Sequence, residues 1–310
     1  MIRPSKGKRN KKPGQPEKTL TAKLFHNLCQ VDPQGSAWHP PFYGGVSPLS
    51  FSANVLKWIA VVTMLLDHVA ASFLKFYFRA YGKTAALDTL YNVLRDIGRI
   101  AFPIYIFLLV EGLAHTKSCA KYLLRLGIFA ILSEIPYDLA FYGVLWYPKK
   151  QNVFFTMLIG LAVIRGMDSI GQTLARMSSA PSKKRGSKAE AEETAVLSPV
   201  KALIFKALLY AGLIAAGCLL AELLKTDYHA PGVLAICVMY LFRRRPWIGM
   251  ILLVLPLLIT STREFYALAA VIPVSLYNGK RGRQAKYFFY AFYPVHLFLL
   301  YLIVYLFISR

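Results

Sequence analysis

The chain has 310 residues, 56% of them hydrophobic, and a formal net charge of +22, with a mean hydropathy of +0.45. Repeated apolar runs of membrane length exclude a soluble enzyme and describe an all-α, polytopic bundle of transmembrane helices. The charge does not make it a nucleic-acid binder, because the Lys and Arg clusters sit on short loops and a tail beside apolar runs, where topology and anionic lipid already account for them.

Residues 1–53 lack an apolar signal-like core, and Arg3 to Lys23 is basic and contains proline. They read as a flexible cytoplasmic tail, with no cleaved signal peptide expected. The membrane domain covers 54–308. Spans are expected near 54–75, 97–114, 121–143, 152–166, 201–224, 230–242, 247–260, 264–277 and 286–308, about nine in all with seven to ten as the range. Several are short enough to be tilted, broken or re-entrant. With the N-terminus inside, most loop Lys and Arg fall on the cytoplasmic side, including Arg243-Arg244-Arg245 and the 278–286 segment. The positive-inside rule therefore favours an N-in, C-out arrangement in the cytoplasmic membrane. The segment from about 170 to 200, with its polar Ser178–Thr194 stretch, reads as a flexible cytoplasmic loop. Cys29, Cys119, Cys218 and Cys237 show no Cys-x-x-Cys spacing, so neither a disulfide framework nor a metal site is expected.

The first span carries Lys57, Asp67 and His68. Ionisable groups inside a membrane helix are costly and mark functional sites by default. Lys57 and His68 are eleven positions apart, about three turns and about 16 Å along one helix face. A cation holding a ligand at one membrane face and a base working deeper fit this spacing; so do a snorkelling lysine and a histidine satisfied within the bundle.

The second span opens on Gly98-Arg99-Ile-Ala-Phe-Pro103 and reaches Glu111. Arg99 can grip a phosphate or carboxylate, or merely anchor the helix end. The third holds Arg125 early and Glu134 and Asp138 one turn apart. Either acid can orient His68 or pair with Arg125 or Arg99. Asn152 opens the fourth span, where capping is the expected role. Asp227 and Tyr228 lie on an outer loop, where they can meet substrate or only solvent. In the last span His296 follows Tyr293-Pro294, and the proline kink suggests a polar pocket there.

Taken in order, Lys57-Trp-Ile-Ala with Asp67-His68, Gly98-Arg99-Ile-Ala-Phe-Pro103, Glu111-Gly112, Lys121-Tyr-Leu-Leu-Arg125-Leu, Ser133-Glu134-Ile-Pro136, Gln151-Asn152-Val with Thr156, Asp227-Tyr228, Tyr277-Asn-Gly-Lys-Arg-Gly282 and Tyr293-Pro-x-His296-Leu resemble the TraX family of integral membrane proteins. The resemblance covers residues 54 to about 308. It implies a membrane acetyltransferase, moving acetyl from cytoplasmic acetyl-CoA to an amine or hydroxyl at the outer face. The acceptor would be a pilin-like protein or a cell-surface glycan or metabolite. TraX proteins look related to a wider acyltransferase superfamily, in one branch of which a basic residue, ten residues and a histidine mark the first helix. Lys57 and His68 match, with Lys in place of the commoner Arg.

The resemblance implies that His68 is the base or a transient acetyl carrier, oriented by Glu111 or Glu134, with His296 a second functional histidine. Lys57, Arg99 and Arg125 would face acetyl-CoA, and Asp67, Asn152, Asp227, Tyr228 and Tyr293 the acceptor. No metal is expected. Lipids, acetyl-CoA and the acceptor are the expected partners. Two alternatives stay open: a proton-coupled transporter relaying through His68, Glu111, Glu134 and His296, and a structural subunit of a conjugation or secretion apparatus.

Overall fold

The computed structural model describes residues 50–179, 199–283 and 286–308. The tail up to residue 49 and most of the expected 170–200 loop lie outside them. Among the described residues the regular elements are helices, besides two isolated parallel bridges, Phe51 with Tyr277 and Gln151 with Thr226.

Helix α1 (Ala53–Tyr81) starts where Ser52 Oγ accepts from Val55 N–H, an N-cap that satisfies one of the orphan donors. Its ladder widens into a π-helical turn at Ala70–Leu74, just past His68. Amphipathic α2 (Ala85–Gly98) and apolar α3 (Ala101–His115) follow. Then come α4 (Cys119–Tyr142), α5 (Val153–Ser179) and α6 (Pro199–Leu223). After these the elements shorten: α7 (His229–Leu241), α8 (Pro246–Leu252), α9 (Val254–Leu257), a 3-10 helix (Thr262–Ala270) and α10 (Val271–Ser275). Helix α11 (Lys286–Phe307) closes the chain.

Among the described residues, 5 helices are long and apolar enough to cross a membrane: Ala53–Tyr81, Ala85–His115, Val153–Arg176, Val200–Leu223 and Tyr287–Phe307. The expectation of about nine full spans is thus not matched. The expected 264–277 span is a 3-10 helix and a short α-helix, and 247–260 is two short helices. The expected span at 97–114 is preceded by α2, which apolar runs alone did not reveal because its apolar residues occupy one stripe only. The fourth span continues to Ser179, into the segment expected to be a loop.

The two ends of the bundle are fixed by short contacts. At the near end, where α1 begins, the 276–281 segment binds its start: Phe51 N donates to Leu276 O, Ala53 N to Lys280 O and Asn54 N to Arg281 O. At the far end Gln151 N donates to Lys225 O. Helices α4 and α11 pack together, as do α5, α6 and α7, and α1 lies against α2 and α3. Small residues permit these approaches: a Cβ at Gly160 would run into Ile236 of α7, and one at Gly217 into Val163 of α5.

Candidate functional site

A cavity of about 730 Å³ runs between the two ends. Along α1 it is lined by Ala53, Lys57, Met64, Asp67, His68, Ala71 and Lys75, the three- and four-residue spacing of one helical face. Lys57 and His68 do share that face. Near-end lining includes Glu111, His115, Arg125, Gly279 and Arg281, and far-end lining includes Tyr91, Arg95, Tyr142, Lys150 and Asp227.

His68 is partnered by a histidine rather than an acid. Its Nδ1 lies 2.7 Å from His296 Nε2, with ring centroids 5.0 Å apart and planes within 6°. His296 Nδ1 is in turn 2.7 Å from the Phe292 carbonyl oxygen. A carbonyl only accepts, so His296 carries its hydrogen on Nδ1 and, as a neutral ring, accepts at Nε2. His68 therefore donates from Nδ1, and its Nε2 keeps a lone pair. These tautomers follow from the network. The ring edges of Phe141, 5.2 Å away by centroid, and Tyr293, at 5.9 Å, hold the His68 imidazole in place. His296 supports the lined site from behind, since it is buried and does not itself line the cavity.

The acids expected to orient His68 are engaged elsewhere. Glu134 Oε2 accepts from the backbone N–H of Asn152 at 3.2 Å and from its side-chain amide. Asn152 Oδ1 accepts from Phe154 N at 3.0 Å, the capping expected of it. Neither residue lines the cavity. Glu111 lines it at the near end, where Tyr277 donates its hydroxyl at 3.0 Å and His115 Nδ1 is 3.5 Å away. Asp138 accepts from Tyr147 N at 2.7 Å. Each is buried and partnered, as buried polar groups must be.

Asp67 and Arg99 bind one another. Asp67 Oδ2 accepts from Arg95 at 2.7 Å and Oδ1 from Arg99 at 2.8 Å, while Arg99 also donates to Glu264 at 2.7 Å. One guanidinium fork thus joins two carboxylates. Gly98 abuts Asp67 so closely that any Cβ would collide with it. These groups clamp α2 and the 3-10 helix onto α1, and Asp67 and Arg99 line the cavity as well. Arg95 and Glu264 were missed. Their signal was present, Arg95 lying one turn from Arg99, but partners on separate elements are not readable from spacing.

Lys57 and Arg125 remain at the near end. The Lys57 ammonium is 5.3 Å from the Phe289 ring centroid and the Arg125 guanidinium 6.0 Å from that of Tyr122. At the far end Lys150, also missed, pairs with Asp227 at 2.8 Å. The Asp227 carboxylate holds the Lys150 ammonium above the usual lysine range, against the opposing effect of its burial. Asp227 and Tyr228 sit between Lys225 (φ 53°) and His229 (φ 49°), both in the left-handed region, a strain of the kind that accompanies functional turns. Tyr228 stacks on Phe102 with centroids 3.8 Å apart. Tyr293 lies edge-on to Phe154.

The arrangement is an imidazole held in one tautomer on a cavity lined by cations toward one end and by an ion pair toward the other. Comparison with known proteins agrees with the order of motifs. No solved structure matches the chain. A relative from Dichelobacter nodosus, described as "Probable fimbrial assembly protein FimC, serogroup H1", is 27% identical over 275 residues, covering 81% of this chain and 95% of that protein. The model of the TraX protein family matches residues 52–304, nearly the whole helical bundle, and the chain belongs to the TraX family.

Proposed function

We propose that the protein is a membrane-embedded acetyltransferase in which acetyl-CoA enters at the near end and an acceptor amine at the far end. The observation that carries this is the Phe292–His296–His68 chain, which leaves His68 Nε2 as a base facing a cavity lined from one end of the bundle to the other. The near end is the cytoplasmic one in this reading, since Arg243, Arg244, Arg245, Lys280, Arg281 and Arg283 cluster on its loops.

In the reaction His68 Nε2 takes a proton from the amine as its nitrogen bonds to the thioester carbonyl carbon. Collapse of the tetrahedral adduct breaks the carbon–sulfur bond, and the same proton passes to the departing thiolate, giving an amide and free CoA. While His68 is charged, its Nδ1–H remains bonded to neutral His296, so the imidazolium does not rotate away. A positioned base of this kind contributes about 10²–10⁴ in rate. Lys57 and Arg125 would meet the donor's phosphates, and Asp227 and Tyr228 the acceptor. The relative's name refers to fimbrial assembly, which supports a pilin-like protein as the acceptor.

The test is acetyl transfer from labelled acetyl-CoA by purified protein in lipid nanodiscs, with a pilin-like peptide amine and a glycan hydroxyl offered separately. Transfer that is lost in His68→Ala with the fold intact supports the reading. Full activity in that variant removes His68 from the mechanism, and substrate-driven proton flux in liposomes without thioester cleavage replaces the enzyme with a transporter.

A further inference from the structure

We infer that the loop Asn278-Gly-Lys-Arg-Gly282 is a phosphate clamp for the acyl donor, with the Gly279 backbone and the Arg281 guanidinium at the near mouth as its contact points. The inference rests on the acetyltransferase reading and deepens it by assigning the donor's diphosphate to particular atoms.

Four observations converge. The loop is anchored on both sides: Tyr277 bridges to Phe51, Asn278 N donates to Phe51 O at 2.9 Å, and the Lys280 and Arg281 carbonyls accept the first amides of α1. Those carbonyls face the helix, which turns the loop's other edge toward the cavity. Both glycines adopt left-handed φ, +73° at Gly279 and +68° at Gly282, but their surroundings differ. At Gly282 a Cβ would press on Ser52 and Asn54, so packing accounts for that glycine. At Gly279 nothing lies within 4 Å of where a Cβ would be, and the residue lines the cavity. Packing therefore does not require Gly279; its left-handed φ favours glycine, and the uncovered backbone there suits close approach to phosphate oxygens.

The charges agree. Arg281 lines the same mouth and donates to the His115 carbonyl at 2.9 Å, which holds its fork against α3, and Lys57 and Arg125 line the near end of the same cavity. Among the described residues that line it, these three cations share the mouth with one carboxylate, Glu111, which accepts from Tyr277 and lies 3.5 Å from His115. The far half of the cavity carries Asp67, Asp227 and Glu264 together with Lys75, Arg95, Arg99 and Lys150, and each of these acids is paired with a cation. A polyanion is favoured at the loop, where the lining cations outnumber the lining acids, while the far-half cations that pair with acids are already engaged. A planar guanidinium with an adjacent glycine backbone suits a diphosphate better than a single carboxylate does.

The experiment compares acetyl-CoA with acetyl-pantetheine, a thioester that lacks the nucleotide diphosphate, in wild type, Arg281→Ala, Arg281→Lys and Gly279→Val. Direct binding of CoA and of inorganic pyrophosphate to the nanodisc protein is measured alongside. A clamp predicts that Arg281→Ala raises KM for acetyl-CoA about ten-fold or more, the scale of one charged hydrogen bond. It should leave acetyl-pantetheine unchanged, and Arg281→Lys should recover part of the loss. Gly279→Val is strained at a φ of +73° and so lowers the unfolding temperature; below that temperature its binding of CoA and pyrophosphate should be weakened. Equal losses for both thioesters, or CoA binding unchanged in Arg281→Ala and Gly279→Val, overturn the clamp while leaving acetyl transfer standing. Wild type that neither binds CoA nor cleaves either thioester overturns the acetyltransferase reading itself. Pyrophosphate binding without CoA binding likewise overturns the assignment of the loop to the acyl donor.

Discussion

His68 and His296 stand 228 positions apart in sequence and 2.7 Å apart at their ring nitrogens. The pair acts as one unit, because the only way to satisfy the Phe292 carbonyl, both Nδ1 atoms and His296 Nε2 is to leave the lone pair on His68 Nε2. His296→Phe should lower acetyl transfer about 10²-fold, and His68→Ala by about 10³-fold or more. The double variant should be no worse than His68→Ala alone, since residues acting as a unit are not additive. Rates of the three variants with helical content matched by circular dichroism check this.

The clamp of Arg99 on Asp67 and Glu264 is structural. Removing the guanidinium leaves buried Glu264 without its arginine and Asp67 with Arg95 alone, and breaking a buried pair from one side costs about 3–5 kcal/mol. Arg99→Met should lower the unfolding temperature in detergent sharply, and Arg99→Lys should rescue little, because an ammonium has no fork. Simultaneous Asp67→Asn and Glu264→Gln changes in the Met variant should restore part of the loss.

Two glycines give a matched contrast. Gly98→Ala drives a methyl group into Asp67, whereas Gly212→Ala meets nothing within 4 Å. The first should destabilise the protein and loosen α2. The second should stabilise it by about 0.5–1 kcal/mol through the helical preference of alanine. Thermal unfolding of both in one detergent decides between them.

The Lys150–Asp227 pair carries a pH signature. The folded-state pKa of Lys150 is raised, so its contribution to stability is fully present below the ordinary lysine range, about 10.4, and is lost only as pH rises through the higher folded value. Stability from this pair is flat through neutral pH. Lys150→Met should accordingly leave the neutral-pH profile unchanged in shape. It should raise KM for the acceptor rather than for acetyl-CoA, and steady-state kinetics with each substrate varied checks this.

Orientation is open to direct labelling. Cysteines replacing Lys280 at the near end and Lys225 at the far end should react with an impermeant maleimide from opposite sides: the first only in inverted vesicles, the second in intact cells.

Some of the site was legible in one dimension. Helical periodicity alone sets Lys57 and His68 on one face, and both line the cavity. The Asn152 cap was also readable, since a capping side chain reaches only two or three residues along the chain. Arg99 was not. A costly cation in a span marks importance, but its pairing with Asp67 and Glu264 depends on α2 folding back against α1 and on a 3-10 segment that hydropathy reads as a span.

The sequence by itself determined a helical membrane protein, the caps, the shared face of α1 and the family. Only the tertiary structure decided that His68 meets His296, that Glu134 turns to Asn152 and that the near-end cations face one cavity. The physical reason lies in the range of each constraint. Backbone geometry fixes directions within a helix over a few turns, whereas the residue opposite is set by how α1, α4 and α11 cross, a result of packing summed over the whole bundle.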